Sequence, residues 1–197
     1  MRQFIRVSVP TEGYAEVKKL GSRYVVHLEG VADGELTECY ETMTNDEPDM
    51  AALTEELQQW KTKMDAVALS IAKREKLKAL AAYDESPAVN SFEIRRGGEK
   101  LTDYWISRDL RTSLEGDVLA ASSIGDTYNF DVRELGITLT LPCTWFLEQL
   151  ARLRIYAYTA FNRTSEHMQA INALTTVDEV QAYDFTTGYP EKLTFAI

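Results

Sequence analysis

The stretch MAALTEELQQWKTKMDAVALSI, residues 50–71, decides the fold because seven apolar side chains recur in it at alternating spacings of three and four. This heptad spacing predicts an α-helix with one apolar stripe. The stripe, which we call the seam, consists of Met50, Leu53, Leu57, Trp60, Met64, Val67 and Ile71. Because exposed apolar stripes are costly in water, we expect another helix to bury Leu57, Trp60 and Met64. That helix comes either from a second copy of the chain or from the chain's own domains.

Local signals set the two ends of the helix that carries the seam. Pro48 stops a preceding strand, and Asp49 can cap the first turn. Nothing interrupts the pattern until Ser86 and Pro87. We therefore expect a helix of about 30 residues, about 45 Å long at 1.5 Å per residue. The predicted domains are an N-terminal β region, a connecting helix and a C-terminal α+β domain, at residues 1–47, 48–82 and 83–197.

The seam straddles a reversal of charge. Residues 25–59 contain no Lys or Arg, and residues 29–56 contain ten carboxylates, equal in number to the formal net charge of −10. Residues 61–78 contain six bases against Asp65 and Glu75. We interpret this basic stretch as the solvated flank of a helix, because seam residues alternate with its bases. The acidic balance of the chain, with a pI near 4.8, argues against nucleic acid as a partner.

The composition is typical of a globular protein, with 45% hydrophobic and 26% charged residues. A length of 197 residues fits one domain or two small ones. No stretch of about 18 apolar residues occurs, and residues 1–6 lack a signal-peptide core, so we expect a soluble protein made in a cytoplasm, without a membrane partner. Cys39 and Cys143 lack CxxC spacing, which favours free buried thiols and leaves a disulfide open.

Residues 1–47 predict a small antiparallel sheet. The segment 4–9 alternates between apolar and polar side chains, as a strand with one buried face does. Segments 24–28 and 36–43 are two further candidate strands. Because the region holds few large apolar residues, we expect it to need the long helix to cover one face of the sheet.

Residues 83–197 predict the order β-β-α-β-β-α-α-α, which makes the chain an α+β protein. The expected elements are two hairpins, 89–94 with 99–105 and 127–132 with 136–141, and four helices: one capped by Ser107, then 143–161, 164–174 and one opened by a capping box at Thr176. The expected core side chains are Trp105, Trp145, Phe146, Tyr156 and Phe161. We also expect Tyr189 and Phe195, near the C-terminus, to pack back onto this core.

The chain lacks the usual sequence motifs of catalysis. His27 and His167 have no second ligand at metal-binding spacing, and the turn at residues 95–98 lacks the GxxxxGK pattern of a phosphate loop. We therefore predict no catalytic residue, no metal site and no cofactor. One alternative stays open, because glycosidases use paired carboxylates. Three carboxylates lie close in sequence to three aromatic residues, namely Asp126, Asp131 and Glu134 beside Tyr128, Phe130 and Trp145.

Several blocks of the C-terminal half carry a resemblance to a known family. They are residues 83–92, then Trp105, Arg108 and Leu110, then Leu150 and Tyr156, then Glu166, His167, Ala170 and residues 173–177, and finally residues 179–184 and 187–195. With these blocks the chain resembles, over about residues 83–197, an uncharacterised C-terminal domain family of gut-bacterial phages and prophages. Residues 116–136 depart from the family's pattern.

The resemblance implies a context rather than a chemistry. Genes of this family lie near tail and tail-fibre genes, and the domain follows an N-terminal strand region and a helix. No catalytic residues are assigned in the family, so none are carried over. The implied setting is a phage virion, made in the cytoplasm of the host bacterium.

The seam and the resemblance together favour a non-enzymatic virion structural protein, tail- or fibre-associated. It would form a homo-oligomer through the seam and bind other phage structural proteins. Two alternatives stay open: a tail-fibre assembly chaperone absent from the mature particle, and a glycan-acting hydrolase that uses the carboxylates. The rotational symmetry of appendages favours parallel helices, with Glu56 of one copy near Lys61 of the next, over an antiparallel pair.

Overall fold

The computed structural model describes residues 2–9, 16–29, 37–132 and 136–197, which contain a long helix, further helices and several small sheets whose strands are mostly antiparallel. The predicted α+β class is therefore confirmed. The chain divides into two compact units, Met1–Ser70 and Ile71–Ile197. The division lies within the long helix, whereas the sequence suggested domain boundaries at the two ends of that helix.

The first unit contains a four-stranded antiparallel sheet in the order β1-β4-β3-β2. Its strands are β1 (Ile5–Val9), β2 (Val17–Leu20), β3 (Arg23–Leu28) and β4 (Thr37–Thr44). Strands β1, β3 and β4 agree with the three expected ones. The sequence did not predict β2, because all four of its residues are exposed and no apolar alternation marks it.

The long helix, α1, runs from Met50 to Asp84. Its first turn is capped by Asp49, whose Oδ1 accepts hydrogen bonds from the backbone amides of Ala51 at 3.0 Å and Ala52 at 3.1 Å. The helix ends just before Ser86 and Pro87, as predicted. The capping signal and the terminating proline are local, which explains why the sequence revealed both ends.

The second unit contains two small sheets and three helices besides the end of α1. One sheet has the order β6-β5-β9 and the other pairs β7 with β8. The elements are β5 (Phe92–Arg96), β6 (Glu99–Tyr104), α2 (Arg108–Ser122), β7 (Thr127–Val132), β8 (Ile137–Pro142), α3 (Cys143–Ala173), α4 (Val177–Ala182) and β9 (Thr194–Ala196). Its core contains Phe92, Val132, Leu153, Tyr156 and Phe195.

Helix α3 is continuous over 31 residues, so the expected break between residues 161 and 164 is wrong. The segment between these positions is polar but contains neither Gly nor Pro, and the helix continues through it. Its buried face extends through Ala160 to His167 and Ile171. A polar stretch alone is therefore a poor indicator of a helix end when buried residues resume at helical spacing.

The C-terminal tail packs back onto the second unit, as predicted. Phe195 is buried, with its ring centroid 4.6 Å from that of Phe92. Its strand, β9, runs parallel to β5. Tyr189 stacks on His167 at 5.7 Å and meets Tyr83 edge-on at 5.4 Å. The sequence suggested only an extended tail, since three residues cannot reveal the partner of a strand.

Candidate functional site

The first half of the seam is covered by the sheet of its own unit. Leu57 is fully buried and Leu53 nearly so, both in a core with Phe4, Val26 and Leu28. Met50 and Trp60 are partly buried against this core, and the Trp60 ring lies 5.9 Å from those of Phe4 and Tyr40. The expectation that another helix buries Leu57 and Trp60 is therefore wrong. The expectation that the long helix covers the sheet is confirmed.

The second half of the seam is exposed. The fractional exposure is 37% for Met64, 45% for Val67 and 41% for Ile71. These three residues continue the heptad spacing of Leu57 and Trp60 on the same helix. The single chain thus leaves Met64 exposed, contrary to expectation, and one heptad of the seam faces solvent.

The charged residues beside the buried half have partners within the chain. Glu56 pairs with Arg2, at 3.3 Å between Oε2 and Nε. Lys61 pairs with Glu29, and its ammonium lies 4.5 Å from the centre of the Tyr40 ring. The expected contact between Glu56 of one copy and Lys61 of another would therefore have to compete with these ion pairs.

The two histidines make structural contacts. His167 is buried, with Nε2 2.9 Å from the carbonyl oxygen of Thr187 and Nδ1 2.8 Å from the hydroxyl of Tyr183. Because a carbonyl can only accept, Nε2 carries a hydrogen. His27 lies 3.3 Å from Glu41 in the first unit. Among the described residues, no three potential metal ligands cluster.

Both cysteines, Cys39 and Cys143, are buried free thiols, as the sequence predicted. Burial, with a smaller contribution from Glu41, raises the pKa of the Cys39 thiol. A raised pKa lowers the thiolate fraction at neutral pH, so Cys39 is a weak nucleophile. The Cys39 side chain is fully buried and has a packing role in the first unit.

The described carboxylate and aromatic side chains of β7, which belong to the hydrolase alternative, lie on opposite faces of that strand. Tyr128 and Phe130 lie edge-on to Phe146, at 5.4 Å and 6.0 Å between ring centres. Asp131 is exposed and accepts a hydrogen bond from Thr138 at 2.6 Å. The alternation along β7 therefore turns the aromatic residues inward and Asp131 outward. Glu134 lies outside the described residues, and Trp145 packs in the same core as Phe146.

A cleft of about 700 Å³ in the second unit was not expected from the sequence. Three arginines and three aromatic side chains line it: Arg108, Arg111, Arg154, Trp105, Tyr158 and Phe161. Phe161, which was expected in the core, is 64% exposed. The arginines belong to two helices that lie far apart in the sequence, so no local sequence motif predicts the cleft. We refer to it as the arginine cleft.

Comparison of the chain with known proteins finds no matching family model, no matching curated protein and no matching solved structure. The resemblance to the phage domain family therefore stays an expectation from the sequence. Each helix among the described residues is too short or too polar to cross a lipid bilayer.

Proposed function

We propose that the chain is a non-enzymatic structural protein of a phage virion, tail- or fibre-associated, that acts by self-association through the exposed half of the seam. The observation that supports this proposal is the exposure of Met64, Val67 and Ile71 at heptad spacing. The partner to which we commit is a second copy of the chain. A heptad stripe is self-complementary, because identical knobs and holes recur along both helices.

Electrostatics permit two copies to meet at this position. Glu56, the last carboxylate of the acidic run, precedes Met64 by eight residues, or about 12 Å along a helix. That distance exceeds the Debye length of about 8 Å at physiological salt, and Glu56 is already paired with Arg2. Lys63 and Asp65, on either side of Met64, carry opposite charges. The charges that flank Met64 are therefore balanced, and Glu56 lies more than one Debye length from Met64 along the helix.

The size of the exposed stripe favours a weak contact that an assembly strengthens. Residues 64–71 span about one heptad, whereas a coiled coil that is stable alone needs about three or four. We expect concentration-dependent association of the free chain. In a particle, neighbouring subunits would hold many copies close together and raise their effective concentration.

Quantitative mass spectrometry of purified particles of the phage that encodes the chain tests this function. We expect the chain in the particles at a fixed copy number that is a multiple of its oligomer size. Lysate from the same infection serves as the control for expression. A chain abundant in lysate and absent from purified particles would contradict the virion assignment and favour the assembly chaperone.

A further inference from the structure

The arginine cleft combines positive charge with open aromatic faces. Arg154, Tyr158 and Phe161 follow one another on α3 at spacings of four and three, so they share one face of that helix. Arg108 and Arg111 lie in the first turn of α2, which places the positive end of the helix dipole beside them. The cleft therefore gathers cationic groups from two helices in a chain of net charge −10.

The arginines of the cleft are only partly neutralised. Arg154 pairs with Glu115, whereas Arg108 has no carboxylate partner in the described part of the chain. Arg111 donates from Nη1 to the carbonyl of Ile106 at 2.8 Å, and its guanidinium lies 5.2 Å from the centre of the Trp105 ring. Burial, then the charges of Arg154 and Arg108, lower the pKa of Arg111. Three like charges thus face one cleft.

Two of the three aromatic side chains of the arginine cleft are largely exposed to solvent. Tyr158 is 67% exposed, and Phe161 is nearly as exposed on the next turn of the same helix. Trp105 is half-buried beneath Arg111. Exposed aromatic pairs beside charged groups commonly mark binding sites, because they offer apolar area with little conformational entropy to lose.

Polar groups complete the lining of the arginine cleft. The hydroxyl of Tyr158 can donate or accept a hydrogen bond with a hydroxyl-rich ligand. Thr112 and Asn90 already donate to the backbone carbonyls of Arg108 and Asp84, and their side-chain oxygens can accept a hydrogen bond from the ligand. Asp84 is the lining carboxylate, and its Oδ1 already accepts a hydrogen bond from Thr164 at 2.6 Å. Three arginines are set against Asp84 in the lining and against Glu115, the partner of Arg154, so the cleft keeps a net positive charge.

We propose that the arginine cleft binds an acidic sugar, a hydroxyl-rich ring that carries a carboxylate or a phosphate. The arginines would pair with the anionic group, and the exposed rings of Tyr158 and Phe161 would pack against the apolar face of the sugar ring. The volume lies within the range of small-ligand sites. Three arginines in a strongly acidic chain are too few for a nucleic acid backbone. This inference is independent of self-association.

Four probes test separately whether the arginine cleft requires a sugar ring and whether it requires an anionic group. Glucuronate and glucose 6-phosphate contain both ring and anion, glucose contains only the ring, and inorganic phosphate contains only the anion. The readout is the indole N–H signals of the ¹⁵N-labelled full chain in NMR titrations. The chain has three tryptophans, so Trp60 and Trp145 act as internal controls for Trp105. We expect the Trp105 signal to move with at least one of the two acidic sugars, and to move little with glucose or phosphate.

Matched variants test the residues of the arginine cleft. We expect Arg108→Gln to weaken binding about tenfold, because it removes a charge-assisted hydrogen bond. Arg74→Gln, at an exposed arginine outside the cleft, is the control. We expect Phe161→Ala to weaken binding about threefold or more, with Ile155→Ala, at a residue that is 68% exposed, as the control.

Several outcomes would overturn the acidic-sugar proposal. They are equal shifts of Trp105 with glucose and glucuronate, equal shifts with inorganic phosphate alone, and equal effects of Arg108→Gln and Arg74→Gln. Two further probes identify other ligands: tighter binding of adenosine monophosphate than of glucose 6-phosphate would indicate a nucleobase, and binding of oligoglutamate alone would indicate an acidic peptide. The Val67→Asp variant allows these titrations without self-association.

Discussion

The hydroxyl of Tyr156 donates a hydrogen bond to the backbone carbonyl of Val89 at 2.8 Å, across 67 positions of sequence. Both residues are buried, and the bond joins α3 to the segment between α1 and β5. The Tyr156 ring also lies edge-on to Trp105, with 6.3 Å between ring centres. One side chain thus connects the segment that follows α1 to helix α3.

Removing this hydroxyl should destabilise the chain. We expect Tyr156→Phe to lower the free energy of unfolding by about 1–3 kcal/mol, because it leaves the buried Val89 carbonyl without a donor. Tyr158→Phe is the matched control, since that hydroxyl is on an exposed side chain, and we expect a change within about 0.5 kcal/mol. Urea unfolding of the full chain, monitored by circular dichroism, measures both. Equal effects of the two changes would contradict a structural role for the bond.

The same tyrosine should make stability depend on alkaline pH. Burial, with a smaller contribution from Tyr83, raises the pKa of Tyr156 above its ordinary value of 10.0. The unfolded chain therefore releases this proton first, and the stability that Tyr156 contributes is complete below about pH 10 and lost as pH rises through the folded-state pKa. Urea unfolding measured at a series of pH values from 8 to 11 should show that the free energy of unfolding falls less steeply with pH for Tyr156→Phe than for the wild type. Parallel declines would refute this assignment.

The two halves of the seam should respond differently to truncation. We expect Leu57→Ala to cost about 2–5 kcal/mol of unfolding free energy, because it leaves a cavity between α1 and the sheet. Val67→Ala, at an exposed position of the same helix, should cost under about 0.5 kcal/mol. Thermal and urea unfolding of the two variants provide the comparison. A large cost at Val67 in a monomeric sample would mean that the chain itself covers this residue.

The C-terminal strand should contribute to the stability of the second unit. We expect Phe195→Ala to cost about 3–5 kcal/mol, since the buried ring packs on Phe92. Thr194→Ala, on the exposed side of the same strand, is the control. A chain truncated after Tyr183 should melt at a lower temperature than the intact one. An unchanged melting temperature would show that the tail is not part of the folded core.

Disulfide trapping should reveal the direction of paired helices. In a parallel, in-register pair, Met64→Cys meets its own copy, and so does Ile71→Cys. In an antiparallel pair centred on Val67, position 64 of one copy faces position 71 of the other. A disulfide then forms only when the two variants are mixed. We expect each variant to crosslink alone, consistent with the rotational symmetry of appendages. Crosslinking in the mixture alone would establish the antiparallel arrangement.

Local signals in the sequence predicted where helices and strands lie better than they predicted which elements pack against each other. The ends of α1 followed from Asp49 and Pro87, because caps and prolines act within a few residues. The heptad pattern located the buried face at Leu57 but not its cover, since a sheet and a second helix both require only an apolar stripe. The parallel pairing of β9 with β5 depends on contacts about 100 positions apart, for which the sequence has no local sign.

The arginine cleft shows a second limit of reasoning from sequence. Arg108 and Arg154 lie 46 positions apart, and each by itself is typical of a solvated helix surface. Phe161 matched the apolar composition of α3, so a core position was the natural expectation. Its exposure depends on which face of α3 packs on the core, and that is decided by the tertiary fold.

Sedimentation equilibrium of the full chain over a range of concentrations tests the central claim most directly. We predict that the wild type, with a monomer mass of 22.3 kDa, associates as its concentration rises, and that Val67→Asp stays monomeric throughout. Leu119→Asp, which places the same charge at an exposed leucine of α2, should associate like the wild type. A wild type that is monomeric at every concentration, or a Val67→Asp variant that associates equally well, would contradict self-association through the seam.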